Sequence, residues 1–98
     1  MRGLVSANDH WLSREVTIVN PQGLHARPVM KFVDLAGRFA SAVAVKKGSD
    51  SVDGKSPMEL MLLEAVQGTT LTLAARGADA DAALDALAGL VAGGFDET

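Results

Sequence analysis

The chain predicts an α+β fold: a four-stranded antiparallel sheet with three helices packed on one face, in the order β-α-β-β-α-β-α. Three observations carry this expectation. Four short segments alternate apolar and polar residues with a period of two. Three longer segments repeat apolar residues at helical spacing. Two strand segments are joined by a tight Lys47-Gly48-Ser49 turn, while the others are separated by a helix. One layer of helices on one face of an antiparallel sheet is the economical way to bury all these stripes.

The first strand is read over Glu15 to Val19, with Val16 and Ile18 on one face and Glu15 and Thr17 on the other. Asn20-Pro21-Gln22-Gly23 breaks it. A helix then begins near Ala26 or Arg27. Pro28 fits its first turn, where a missing N–H leaves no hydrogen bond unmade. Val29, Phe32, Val33, Ala36 and Phe39 form its apolar stripe, which runs to about Arg38 or Phe39. Ala42 to Lys46 and Asp50 to Asp53 form a hairpin.

Ser56 as N-cap, Pro57 at the first helical position and Glu59 complete a capping box that opens a second helix, ending near Glu64 to Val66. Thr70 to Ala75 alternates as the fourth strand. Ala78-Asp79 opens the third helix, whose stripe is Ala83, Leu84, Leu87, Leu90 and Val91 and whose end is Gly93-Gly94. Asp79 and Asp81 complement the positive end of that helix. Residues 95–98 are read as a tail.

Composition narrows the function classes. At 98 residues the chain is one domain with a small core, and 48% apolar residues argue against wholesale disorder. Nine basic and 12 acidic side chains give a net charge of −3, which predicts neither nucleic-acid nor membrane binding. With no cysteine, disulfides, thiol catalysis and thiolate metal sites are excluded. No apolar run is long enough to span a bilayer, and residues 1–14 lack the apolar core of a signal peptide, so a cytoplasmic protein is expected. Within that N-terminal extension, His10 and Trp11 stand out. Trp11 reads either as a partner anchor or as a ring covering apolar surface.

His25 is the candidate reactive residue. It stands just before a helix whose first N–H groups have no partner, and such a terminus favours an anion. The same positive end works against an imidazolium, leaving a neutral, nucleophilic ring. Arg27, two residues on, carries a guanidinium suited to phosphoryl oxygens. The chemistry implied is a transient phosphohistidine held by the N–H groups of Ala26 and Arg27. By residue type alone, a solvated loop histidine or a site for a free anion fits as well.

The segment Gly23-Leu24-His25-Ala26-Arg27-Pro28 resembles the active-site motif of HPr, the histidine-containing phosphocarrier of the bacterial phosphoenolpyruvate–sugar phosphotransferase system. Gly54-Lys55-Ser56 before an apolar helix resembles the family's second signature, and Gln67-Gly68-Thr69 and Ala75-Arg76-Gly77 continue the match. The resemblance covers roughly residues 15–93 and implies an HPr domain over 15–94 with an open-faced β-sandwich fold.

It further implies that His25 takes a phosphoryl group on Nδ1 from phospho-Enzyme I and gives it to EIIA-type domains. The protein would then be a monomeric carrier, not a turnover enzyme, with no metal and no organic cofactor. In some members the serine corresponding to Ser56 is modified by HPr kinase/phosphorylase. Here Pro57 and Glu59 depart from the usual residues, and the Glu59 carboxylate is expected to compete with a phosphate for the helix N–H groups.

Met30, Met58 and Met61 read as core by type. The resemblance makes Met58 and Met61 partner contacts, with Met30 a further candidate. Relatives often carry lysines near this surface, whereas here Asp34, Glu59 and Glu64 are nearby on the same helices, which is expected to alter electrostatic steering toward partners. Two other readings remain. One is a regulatory paralogue, nitrogen-type or read through Ser56, that signals by binding. The other is a ferredoxin-like ligand-binding domain without phosphorylation.

Overall fold

The computed structural model describes residues 10–97. The elements are β1 (Leu12–Thr17), α1 (Ala26–Ala36), β2 (Ala42–Lys47), β3 (Asp50–Asp53), α2 (Pro57–Leu62), β4 (Thr70–Arg76) and α3 (Ala80–Ala92). A 3-10 turn over Gly94–Asp96 follows. The sheet order is β1-β4-β2-β3, with every pair antiparallel. This is the expected fold class. Buried Val16 and Ile18, Val43 and Val45, and Leu71, Leu73 and Ala75 line the helix-covered face. Val29 and Phe32 of α1 meet them, as do Leu84, Leu87 and Val91 of α3.

Element boundaries differ from the sequence reading where tertiary pairing overrides local pattern. β1 starts at Leu12, before the expected Glu15, because its ladder with β4 runs from Leu12↔Ala75 to Thr17↔Thr70. Ser13 and Arg14 carry no apolar alternation that could have shown this, and Arg14 pairs instead with Asp85 of α3. Past Thr17, Ile18 still exchanges backbone bonds with Thr69 and Gly68.

α1 stops at Ala36, short of Arg38, with the Gly37 N–H on the Val33 carbonyl. α2 stops at Leu62 rather than near Glu64 to Val66. Glu64 there turns left-handed (φ 50°), and the Lys47 ammonium donates to the Leu63 carbonyl at 2.8 Å. The capping box is half formed. Ser56 Oγ accepts from the Glu59 N–H at 3.3 Å, but the Glu59 carboxylate accepts from the Asp53 N–H, outside the helix. It does not take the helix N–H groups for which it was expected to compete.

One further correction concerns the C-terminal end. Phe95, expected in a tail, is fully buried in the core. A lone aromatic after Gly93-Gly94 has no period to betray it. Trp11 lies immediately before β1, half exposed, with the Arg76 guanidinium 5.0 Å from its ring centroid. That arrangement is a cation–π pair.

Asp79 precedes α3 but makes no capping bond with its side chain. Its carboxylate instead accepts from Ser41 Oγ and from the N–H groups of Ser41 and Ala40, both at 2.9 Å, pinning the start of α3 to the entry of β2. The Ser41 hydroxyl first, then the Ala40 N–H, hold this carboxyl below its ordinary value of 3.8. A depressed folded-state value contributes stability above the unfolded value and loses it as pH falls through the folded one. Melting curves should therefore show a gap between wild type and Asp79→Asn that is constant from about pH 7 to about pH 5 and narrows in stronger acid. At Glu64, the left-handed backbone penalises a side chain with little to gain from it. Urea denaturation should show Glu64→Gly more stable by about 1 kcal/mol.

Candidate functional site

The loop that carries His25 is shaped by two close approaches. Gly23, at φ 67°, packs directly on the backbone of Ala65 and Val66. A Cβ there would overlap the Ala65 carbonyl oxygen and lie 2.9 Å from Val66 Cα. Leu24 donates its N–H to the same Ala65 carbonyl at 2.8 Å, and its side chain is buried. The loop before α1 is thereby fixed against the loop after α2.

His25 is the N-cap of α1, in extended conformation, and its carbonyl takes the first helical bond from Val29 at 3.0 Å. Pro28, in the same turn, has no N–H to offer. Two amides, Ala26 and Arg27, therefore remain at the helix start with no acceptor among the described residues. The Arg27 side chain is exposed and makes no hydrogen bond or ion pair among the described residues.

A cleft of ≈ 330 Å³ opens beside the ring, lined by Pro21, Gln22, His25, Arg27, Lys31, Asp96 and Glu97. His25 and Arg27 both line this cleft, and Ala26 lies between them at the start of α1. The structure also brings in residues that sequence reasoning missed. Glu97 Oε2 lies 3.0 Å from His25 Nε2, and Glu97 Oε1 accepts from the Asn20 amide at 2.9 Å. Lys31 donates to the Phe95 carbonyl at 2.6 Å and so holds the C-terminal turn beside the ring. The signal available was slight: Phe95, a large apolar residue, two positions before Glu97.

Ser56 stands apart from this cleft, at the start of α2. Met30, Met58 and Met61 are exposed on α1 and α2, so the core reading by residue type does not hold for them. Leu62 and Val66, which the sequence reading passed over, are more exposed than Met30 and Met61. Their signal was present: α2 is apolar almost all round, while Leu60 and Leu63 already satisfy the core. Among the described residues, no three His, Cys, Asp or Glu side chains cluster as metal ligands, and no helix is long and apolar enough to cross a membrane.

A half-exposed imidazole at a helix start, followed by two amides without acceptors and one unengaged guanidinium, on an open-faced α+β sandwich, is the layout of a small phosphocarrier. Comparison with known proteins agrees. The family described as "PTS HPr component phosphorylation site" matches residues 12–93. The chain is 44% identical to phosphocarrier protein NPr of Shewanella violacea, covering 88% of this chain and 94% of that one. It is 49% identical to phosphocarrier protein HPr of Pseudomonas aeruginosa, over 85% and 93% respectively. The crystal structure of an HPr from Thermoanaerobacter tengcongensis superposes with a TM-score of 0.86 at 38% identity, covering 89% of this chain and 98% of that one. The chain belongs to the HPr family and is an HPr-type phosphocarrier.

The loop contact gives a direct test. Gly23→Ala combines an unfavourable φ with overlap against the Ala65 carbonyl. Denaturation should show it destabilised by about 1–3 kcal/mol, and phosphoryl uptake should fall as the His25 loop is displaced.

Proposed function

We propose that His25 accepts a phosphoryl group from phospho-Enzyme I and passes it to EIIA-type domains, in the cytoplasm and as a monomer. The observation that carries this reading is the ring at the start of α1, beside the amides of Ala26 and Arg27 and the unengaged Arg27 side chain. The incoming phosphoryl oxygens would meet two N–H donors and a guanidinium in one cleft, all of them favourable to negative charge.

Exposed Met58, Met61, Leu62 and Val66, with Met30 on the neighbouring helix, provide an apolar docking surface that adapts to successive partners.

A nitrogen-type role is the second reading. It is favoured by the likeness to an NPr and by charge. Lys31, Lys47 and Lys55 spend their ammonium groups on the carbonyls of Phe95, Leu63 and Phe39, while Asp34, Glu59 and Glu64 face outward from the same region. A surface of this balance selects partners unlike those met by lysine-rich relatives. Ser56 is a second candidate for modification, by an HPr kinase/phosphorylase. The Glu59 carboxylate is turned to Asp53, which leaves the Glu59 N–H beside Ser56 Oγ for a phosphate.

Incubation with Enzyme I and labelled phosphoenolpyruvate tests the carrier reading. Wild type should take an acid-labile, base-stable label, and His25→Ala should take none while remaining folded. Label persisting in His25→Ala, or no label on wild type from either sugar- or nitrogen-type Enzyme I, would contradict it. Preference between the two donors assigns the branch.

A further inference from the structure

We propose that Glu97, held in place by Asn20, is a positioning residue that fixes the tautomer of His25 and pairs with the charge the ring acquires on phosphorylation. The proposal rests on the carrier reading and deepens it.

The geometry is a three-residue chain. Asn20 Nδ2 donates to Glu97 Oε1 at 2.9 Å, and Glu97 Oε2 meets His25 Nε2 at 3.0 Å. The Glu97 side chain is 19% exposed, against 38% for the ring. An ionised carboxylate only accepts hydrogen bonds, so Nε2 must carry the proton. In the neutral ring that leaves Nδ1 with the lone pair, and Nδ1 has no hydrogen-bond partner among the described residues. A carboxylate on one ring nitrogen sets the tautomer and orientation of a histidine in the same way in hydrolase triads.

Two features indicate that the contact is built rather than incidental. Asn20 is 2% exposed, and its Oδ1 is buried with no partner among the described residues. A buried unsatisfied oxygen is destabilising. Its amide nitrogen faces two acceptors, the Gly23 carbonyl at 2.8 Å and Glu97, which fixes the amide in that orientation. The second feature is backbone strain. Phe95 and Asp96 both adopt left-handed conformations (φ 59° and 61°) directly after Gly94 (φ 67°). Side-chain-bearing residues resist that conformation. Burial of Phe95 and the Lys31 bond to its carbonyl hold the turn, and the turn delivers Glu97 to the ring.

The Nδ1 lone pair forms the new bond to phosphorus while the donor's bond to phosphorus breaks, its electron pair staying on the donor. The Nε2 proton does not move. The ring gains a positive charge, which faces the Glu97 carboxylate. On transfer to an acceptor nucleophile, the N–P electron pair returns to Nδ1 and the neutral ring leaves. Without the Nε2 proton, the leaving group would be an imidazolate, a far poorer one.

The test uses isotope-labelled histidine in the unphosphorylated protein, read by nitrogen NMR on wild type, Glu97→Gln and Glu97→Ala. Initial rates of phosphoryl uptake from Enzyme I are measured on the same samples. Wild type should be predominantly the Nε2–H tautomer. Glu97→Ala should lose that preference and slow by roughly 10–100-fold, the scale set by groups that orient a functional histidine elsewhere. Glu97→Gln can still accept from Nε2–H and should retain the tautomer, but it should still transfer more slowly because the charge is gone. A wild-type Nδ1–H ring, or a folded Glu97→Ala with unchanged tautomer or unchanged rate, overturns the proposal. If wild type shows the expected tautomer yet takes no phosphoryl group, the carrier reading is what fails.

Discussion

The backbone contact between Gly23 and the Ala65–Val66 segment is the constraint on which the site depends. It joins the loop before α1 to the loop after α2 with no side chain between them, and the Leu24 bond to the Ala65 carbonyl closes it. Position, more than residue type, makes His25 a candidate acceptor. Its carbonyl begins α1, and the two amides that follow have no acceptor among the described residues. The same contact brings α2, with its exposed Met58 and Met61, beside the helix that His25 caps. One close approach thus holds both the His25 loop and the exposed methionines of α2 in place.

A second layer of constraint comes from the end of the chain. Lys31 lies one turn beyond Arg27 on α1, yet the two cations have separate roles. Arg27 is unengaged among the described residues, while Lys31 ties down the turn that contains Phe95. Lys47 and Lys55 are tied to carbonyls in the same manner. Lysines that a charge count would assign to partner steering are therefore part of the fold. The cleft itself holds both signs, with Asp96 and Glu97 opposite Arg27 and Lys31. Such a balance suits brief occupancy by a phosphoryl group better than permanent storage of an anion.

Much of this was legible in the sequence. The order and type of all seven regular elements follow from period-two and helical stripes, because each element buries one face against a common core. His25 at a helix start followed from Gly23 and Pro28 flanking it, and the motif resemblance made that residue specific. What escaped has a common cause. Leu12 to Arg14 become strand through pairing with β4, which no local pattern encodes. Phe95 and Glu97 reach the core and the site through three consecutive left-handed residues, a path with no periodicity. Asn20 read as a loop former, and its second role needs Glu97 in place. Leu62 escaped because an apolar residue in a helix is ordinarily assigned to the core, and Val66 because the helix was expected to run toward it, whereas it lies past the end of α2.

Everything proposed for the site turns on whether the His25 ring accepts the phosphoryl group through Nδ1. Phosphorus NMR on protein phosphorylated through Enzyme I, with isotope-labelled histidine, tests it most directly. The account predicts a single phosphoramidate resonance coupled to Nδ1 of His25, with Nε2 still carrying its proton. A phosphoester resonance with the ring unmodified, or coupling to Nε2, would contradict it.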